Sequence, residues 1–185
     1  MSAVVGAVLA GGEGRRMGGA KPARMLSGRP LVEYPARALL AVCDRVAIVA
    51  KASTELPSVG GERWDEPDQP RHPLAGIVHA LEVAGEEVLV CAADMPFVTV
   101  DALRSLVDAA RPPATVAHAG GRLQPLLAVY WPEALRAMRS SPPNAPLTRT
   151  VEALRPALVE LPDEVVRSVD TPEALAAAER ELASR

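Results

Sequence analysis

Short apolar runs along the chain alternate with longer segments in which apolar residues recur at helical spacing. The runs with the pattern of buried strands are residues 4–9, 45–50, 87–92, 115–117 and 126–130. The segments with helical spacing are residues 31–42, 74–83 and 100–109. Because strands and helices alternate in this order, we expect an α/β fold with three α/β/α layers, in which helices cover both faces of a mostly parallel sheet.

The end of the chain has the pattern of one more helix. Thr171, Pro172 and Glu173 supply a cap, a first-position proline and an early acid, so we expect a terminal helix that ends near residue 182. Between residues 132 and 155 we expect two short helices around a turn.

Composition indicates a globular protein with a sizeable core, because 49% of the 185 residues are hydrophobic and 23% are charged. This length suits a single domain, which we expect to span residues 1–185. The net charge of -3 and the aromatic content of 3% argue against a nucleic-acid partner, which needs a broad basic face and stacking rings.

No apolar run approaches the ~20 residues that a membrane-spanning helix needs, and the N-terminus lacks the pattern of a leader peptide. We therefore expect a cytoplasmic protein without a membrane partner. Cys43 and Cys91 lie far apart inside apolar runs and have no neighbouring cysteine or histidine set for a metal. We expect both to be buried thiols.

The first predicted strand leads directly into a loop rich in glycine and cations, Leu-Ala-Gly-Gly-Glu-Gly-Arg-Arg-Met-Gly-Gly-Ala-Lys at 9–21. Glycines let the backbone present N–H groups at close range, and Arg15, Arg16 and Lys21 add charge that can bind phosphate oxygens. Residues 11–30 carry five cations and one acid, although the whole chain has a net charge of -3. Neither the P-loop nor the dinucleotide-binding fingerprint is satisfied. The loop predicts a nucleotide-phosphate site of another kind.

Two carboxylates follow other strand-like runs. Asp94 comes after the run at 87–92, and Asp170 lies in a strand-like segment just before the terminal helix. Ligands of open α/β sheets bind at the carboxyl ends of strands, so we expect both acids near the glycine-rich loop. Mg²⁺ prefers one or two carboxylates together with phosphate oxygens and water, which makes Asp94 a predicted ligand. Asp170 is either a second ligand or an acid that stabilises the helix N-terminus.

Together these residues resemble the MobA-like nucleotidyltransferases, and most closely the molybdenum cofactor guanylyltransferases. The first shared motif is Leu-Ala-Gly-Gly, followed by Arg-Met-Gly and a lysine, within residues 9–21. The later motifs are Gly-Arg-Pro-Leu at 28–31, an aspartate at 65 before Pro-Leu-Ala-Gly at 73–76, Asp-Met-Pro at 94–96, Gln-Pro-Leu at 124–126 and Val-Asp-Thr-Pro-Glu at 169–173. The ordered set spans nearly the whole chain. It implies a Rossmann-like sheet of the nucleotide-diphospho-sugar transferase type.

The resemblance also implies roles for individual residues. Those expected to bind the nucleotide are Leu9, Ala10, Gly11, Gly12, Arg15, Lys21, Asp65 and Asp94. Arg16, Lys21 and Asp94 are expected to be catalytic, with Arg16 and Lys21 on the triphosphate. Asp94 is expected to hold Mg²⁺, and Asp170 is the candidate for a second metal ligand. Asp65 by itself would be interpreted as a solvated loop acid.

The implied activity is the Mg²⁺-dependent transfer of GMP from GTP to the phosphate of molybdenum-molybdopterin, with release of pyrophosphate. The nucleotide-binding half is expected at about 1–98 and the acceptor-binding half at about 99–185. The expected partners are GTP, a molybdopterin-type acceptor and proteins that insert or deliver the cofactor. Three alternatives stay open: CTP as the donor, another small phosphorylated acceptor, or a nucleotide-binding module without catalysis.

Five positions depart from the family pattern. They are Ala20 in place of an aspartate, Lys51 in place of an asparagine, His72 in place of a glycine, Gln124 in place of a histidine and Asp170 in place of an asparagine. These departures bear on the acceptor and on catalytic efficiency more than on nucleotide binding.

Overall fold

A computed structural model describes residues 4–12, 21–142 and 145–184 of the chain. The strands within these residues are β1 (Val5–Leu9), β2 (Met25–Leu26), β3 (Arg29–Pro30), β4 (Arg45–Lys51), β5 (Glu62–Glu66), β6 (Val88–Ala92), β7 (Ala114–Ala119), β8 (Arg122–Tyr130) and β9 (Ala157–Glu160). The α-helices are α1 (Glu33–Leu40), α2 (Pro73–Ala84), α3 (Val100–Asp108), α4 (Leu135–Arg139), α5 (Leu147–Glu152) and α6 (Pro172–Ala183). Single 3₁₀ turns lie at Lys21–Ala23 and Pro132–Ala134.

Seven strands form one sheet in the order β5-β4-β1-β6-β8-β7-β9. β1 pairs in parallel with β4 on one side and with β6 on the other, and β5 pairs in parallel with β4. β8 runs antiparallel to both of its neighbours, β6 and β7. The remaining two strands, β2 and β3, form a separate antiparallel hairpin. Four adjacent parallel strands therefore end at the same edge of the sheet.

The sheet separates two apolar layers. Successive residues of β1, such as Ala7 and Val8, belong to different layers because successive side chains of a strand point to opposite faces. On one face α1 and α3 contribute Leu39 and Leu103 to the core, and on the other face α2 contributes Leu81, with α4 and α5 beside it. The sheet is thus covered by helices on both faces, as predicted.

A third, smaller apolar cluster joins α6 to the β2–β3 hairpin. Leu26 of β2, Phe97 and Val169 pack with Ala178 of α6. Thr171 caps α6 by accepting a hydrogen bond from the backbone N–H of Ala174 at 3.1 Å. Because Phe97 follows Asp94 by three residues, this cluster packs the end of the chain on the side of the molecule where Asp94 lies.

Most of the predicted elements are confirmed, with ends that differ by at most four residues. The strand-like segment at residues 168–170 pairs with no strand among the described residues. The apolar pattern did not predict β2, β3, β5 or β9. Cys43 and Cys91 are buried free thiols, as expected.

Within the described part of the chain, none of the helices is both long enough and apolar enough to cross a membrane.

Replacement of Leu81 by alanine tests the packing of α2 on the sheet. Leu81 is fully buried, so we expect Leu81→Ala to lower the free energy of unfolding by ~2–5 kcal/mol through lost burial and a residual cavity. The matched control in the same helix is Val83→Ala, because Val83 is 44% exposed and should cost less than ~0.5 kcal/mol. Urea denaturation of both variants checks this, and equal losses would contradict the packing.

Candidate active site

A cavity of about 600 Å³ opens at the edge of the sheet where β1, β4, β5 and β6 end. After β1 the chain forms β4 on one side of β1 and later β6 on the other side of β1, so the strand order reverses at β1. Open α/β sheets bind their ligands at such a point. The sequence-predicted residues that line the cavity are Leu9, Ala10, Gly11, Gly12, Lys21, Asp94 and Asp170.

The backbone after β1 is held in place by both neighbouring strands. The N–H of Ala10 donates to the carbonyl of Val49 at 2.8 Å, and the N–H of Ala93 donates to the carbonyl of Leu9 at 3.0 Å. The parallel pairing therefore continues past the end of β1 and fixes the start of the glycine-rich segment. Gly11 then lies so close to the Glu66 carboxylate that a Cβ at this position would overlap Glu66 Oε1.

Lys21 and Asp94, which are 73 residues apart in sequence, meet in the cavity. Lys21 Nζ donates to Asp94 Oδ2 at 2.5 Å, and the two side chains are 16% and 23% exposed. The 3₁₀ turn Lys21–Ala23 positions the lysine, since the carbonyl of Pro22 accepts from the N–H of Val32 at 3.1 Å. A cation and a carboxylate, both partly open to the cavity, thus lie beside the backbone that follows β1.

Asp94 and Asp170 line the same cavity although 76 residues separate them in sequence. The N–H of Val169 donates to the backbone carbonyl of Asp94 at 2.8 Å, which ties the two segments together. The described residues contain no group of three or more His, Cys, Asp or Glu side chains that could hold a metal ion by themselves. One or two carboxylates beside space for phosphate oxygens and water nevertheless fit the ligand preference of Mg²⁺.

Arg15 and Arg16, predicted to lie on the triphosphate, fall outside the described residues, as does Ala20. Their positions relative to the cavity stay predictions. Gly11, Gly12 and Lys21 are the described residues that flank this segment, and all three line the cavity.

Asp65 is not among the residues that line the cavity, and its contact with the nucleotide stays a prediction. Its side chain is 54% exposed, and its Oδ1 accepts from Arg63 Nε at 2.7 Å. The reason is the two-residue period of β5, which turns Trp64 and Glu66 to the buried face and Asp65 to the opposite face. Glu66, the neighbour of Asp65 in sequence, therefore lines the cavity.

Glu66 and Lys51 form a buried ion pair that sequence reasoning missed. The Lys51 Nζ to Glu66 Oε1 distance is 3.6 Å, and the side chains are 8% and 6% exposed. Lys51 Nζ also donates to the carbonyl of Pro67 at 2.7 Å. Burial raises the pKa of the Glu66 carboxyl, and the nearby Lys51 ammonium opposes this shift without cancelling it. Recognising β5 as a strand with Trp64 facing the core would have identified Glu66.

Two other departures from the family pattern have definite positions. His72 caps α2, because its Nδ1 accepts from the N–H of Leu74 at 3.2 Å, and it also lines the cavity. Gln124 lies in β8 opposite Ala117 and is not part of the cavity lining, whereas Leu126 is. His72 therefore supplies a structural function that a glycine could not supply.

The fold and the cavity define a class of protein, one that binds a small ligand at the carboxyl edge of an open α/β sheet. The family model for the MobA-like NTP transferase domain matches residues 6–157. The chain therefore belongs to the MobA-like NTP transferase family and is a nucleotidyltransferase.

Relatives agree with this assignment. A molybdenum cofactor guanylyltransferase of Cereibacter sphaeroides is 38% identical over 135 residues, which cover 70% of this chain and 69% of that protein. The molybdenum cofactor guanylyltransferase of Desulfosudis oleivorans is 35% identical over 136 residues, covering 70% of this chain and 66% of that protein.

Solved structures show the same fold. The molybdopterin-guanine dinucleotide biosynthesis protein A of Archaeoglobus fulgidus has a TM-score of 0.75 at 25% identity, covering 98% of this chain and 100% of that one. A 2-C-methyl-D-erythritol 4-phosphate cytidylyltransferase of Thermus thermophilus has a TM-score of 0.72 at 24% identity, covering 100% of both chains.

The close approach of Gly11 to Glu66 gives a stability prediction. Gly11→Ala would force the Glu66 carboxylate to move, so we expect a loss of ~1–3 kcal/mol in the free energy of unfolding, as for other overpacked sites. Urea denaturation measures this loss.

Gly12→Ala is the matched control, because a Cβ at Gly12 meets no described atom within 4 Å. The cost of Gly11→Ala should also shrink in a Glu66→Ala background, where the overlapping carboxylate is gone. Equal costs for the two glycines, or a cost at Gly11 that is independent of residue 66, would contradict this contact.

Proposed function

We propose that the chain transfers GMP from GTP to the terminal phosphate of a molybdopterin-type acceptor and releases pyrophosphate. The observation that carries the proposal is the pairing of Lys21 with Asp94 beside the backbone that follows β1, in the cavity of a nucleotidyltransferase. Relatives up to 38% identical bear the name molybdenum cofactor guanylyltransferase, which supports the choice of guanine and of the acceptor.

In the proposed reaction an oxygen of the acceptor phosphate attacks the α-phosphorus of GTP in line. The new P–O bond joins the acceptor to GMP, and the bond to the β-phosphate breaks with its electron pair leaving on pyrophosphate. The attacking phosphate is already ionised at neutral pH, so the site needs no strong general base. Its task is to bring two anions together and to stabilise the charge of the leaving group.

Lys21 is suited to this task because its ammonium group lies at the cavity wall and can donate to phosphate oxygens. We assign to Arg16, with Arg15 in support, the neighbouring phosphates that the sequence predicts for them. Asp94, with Asp170 as the second candidate, would hold Mg²⁺. When bound there, Mg²⁺ supplies Lewis-acid stabilisation of the phosphate charge and a template for the two substrates.

We place the acceptor on the side formed by residues beyond about 99. Leu126 and Asp170 bring this half into the main cavity. A second cavity of about 510 Å³ lies at the turn between β7 and β8, lined in part by His118, Arg122 and Thr148. A guanidinium group such as that of Arg122 is suited to an anionic acceptor.

The donor nucleotide is tested by pyrophosphate release with molybdenum-bearing molybdopterin as the acceptor. We expect release with GTP and Mg²⁺, and far less with CTP or when Mg²⁺ is removed by EDTA. Release that depends on CTP would contradict the guanylyl assignment. Tight binding of GTP without any release would instead indicate a nucleotide-binding module.

The role of Asp94 is tested by Asp94→Ala. We expect turnover to fall by about 10²–10³, the usual effect of removing one electrostatic contact at a transition state, while the fold is kept. Asp101→Ala is the control, because the Asp101 side chain is 93% exposed in the first turn of α3 and lies outside the cavity lining. Guanylyl transfer near the wild-type rate by Asp94→Ala would overturn the assignment.

A further inference from the structure

Glu66 is a cavity residue that the proposed phosphate chemistry does not use. Its side chain is 6% exposed, yet it belongs to the cavity lining. The nearest cation, Lys51 Nζ, lies 3.6 Å from Glu66 Oε1, which is an ion-pair separation longer than a good hydrogen bond. A buried carboxylate that faces a cavity with accepting capacity to spare is costly unless a donor group binds it.

The position of Glu66 in the sheet separates it from the phosphate-binding residues. Glu66 ends β5 and Lys51 ends β4, on one side of β1, whereas Asp94 follows β6 on the other side. Three spacings between strands, roughly 14 Å, lie between the ends of β5 and β6. A nucleotide whose phosphates lie at Lys21 and Asp94 can therefore extend across the end of β1 and bring its base to Glu66.

The surroundings of Glu66 are partly apolar. Gly76 lets α2 lie close to the Glu66 carboxylate, because a Cβ at Gly76 would be only 3.3 Å from Glu66 Oε2 and 3.4 Å from Leu9 Cδ2. Leu9 and Pro73 add apolar surface to the same cavity. This part of the cavity therefore combines apolar surface with the carboxylate of Glu66.

We propose that Glu66 selects the base of the donor nucleotide by accepting hydrogen bonds from N1–H and from the 2-amino group of guanine. These two donors are adjacent on one edge of guanine and match the two oxygens of one carboxylate. Cytosine offers a single donor, its 4-amino group, beside an acceptor nitrogen. Lys51, whose three N–H donors are not all used by Pro67, balances the charge of the carboxylate. This inference rests on the proposed use of GTP.

The test is the binding of GTP and of inosine triphosphate, which lacks the 2-amino group, to the full chain with Mg²⁺ by titration calorimetry. Wild-type protein should bind GTP roughly 10-fold or more tightly than inosine triphosphate. Glu66→Gln, which replaces one accepting oxygen by an amide donor, should weaken GTP binding by roughly 10- to 100-fold, the effect of losing a hydrogen bond to a charged group. It should weaken inosine triphosphate binding less, so that the ratio of the two affinities falls toward one.

Glu62→Gln is the matched control, because Glu62 lies on the same strand with its side chain 50% exposed, outside the cavity, and should leave both affinities unchanged. Equal weakening of both nucleotides by Glu66→Gln would mean a structural role and would overturn the proposal. If that variant fails to fold, the wild-type comparison still decides, since equal affinity for GTP and inosine triphosphate overturns it as well. These binding measurements need no acceptor, so the failure of guanylyl transfer is seen separately, in the pyrophosphate assay.

Discussion

The site depends on the central position of β1 and on the way its pairing continues beyond the strand. Hydrogen bonds from Ala10 to Val49 and from Ala93 to Leu9 attach the start of the glycine-rich segment to the strands on both sides. Because β1 is apolar on both faces, this attachment is made in the interior of the sheet, where the backbone has few alternative partners. The rigid scaffold ends where the cavity begins, so the functional side chains extend from fixed backbone.

Two pairs of opposite charge lie at the two ends of the cavity and differ in burial. The Lys21–Asp94 pair is partly exposed, and in the proposed reaction its members exchange each other for phosphate and a cation, whereas the Lys51–Glu66 pair is almost fully buried. A buried pair contributes little net stability because desolvation offsets the attraction. Its position in the cavity lining suits recognition of a ligand. The contact between Val169 and the carbonyl of Asp94 adds a third constraint, since it couples the end of the chain to the Asp94 side of the cavity.

The sequence was sufficient for the strands and helices whose apolar pattern is strong, and for Lys21 and Asp94, which glycine content and strand ends identify. It was insufficient for β5, where charged residues surround Trp64 and an edge strand has no continuous apolar run. Because β5 was not predicted, the sequence did not show which of its side chains face the core. Asp65 was therefore chosen from the motif, whereas the alternation of side chains along β5 turns Glu66 inward. The strand-like segment before Asp170 has the residue types of a strand but meets no neighbour to pair with among the described residues. Local pattern gives the residue types of an element, whereas tertiary neighbours decide which of its faces is buried.

A crystal structure of the chain with GTP and Mg²⁺ tests the proposed site most directly. We expect the triphosphate beside Lys21 and the backbone of Gly11 and Gly12, the metal on Asp94, and the guanine edge against Glu66. Binding of the nucleotide in the cavity at Arg122, or in the main cavity with its base turned toward β6 and away from Glu66, would contradict it.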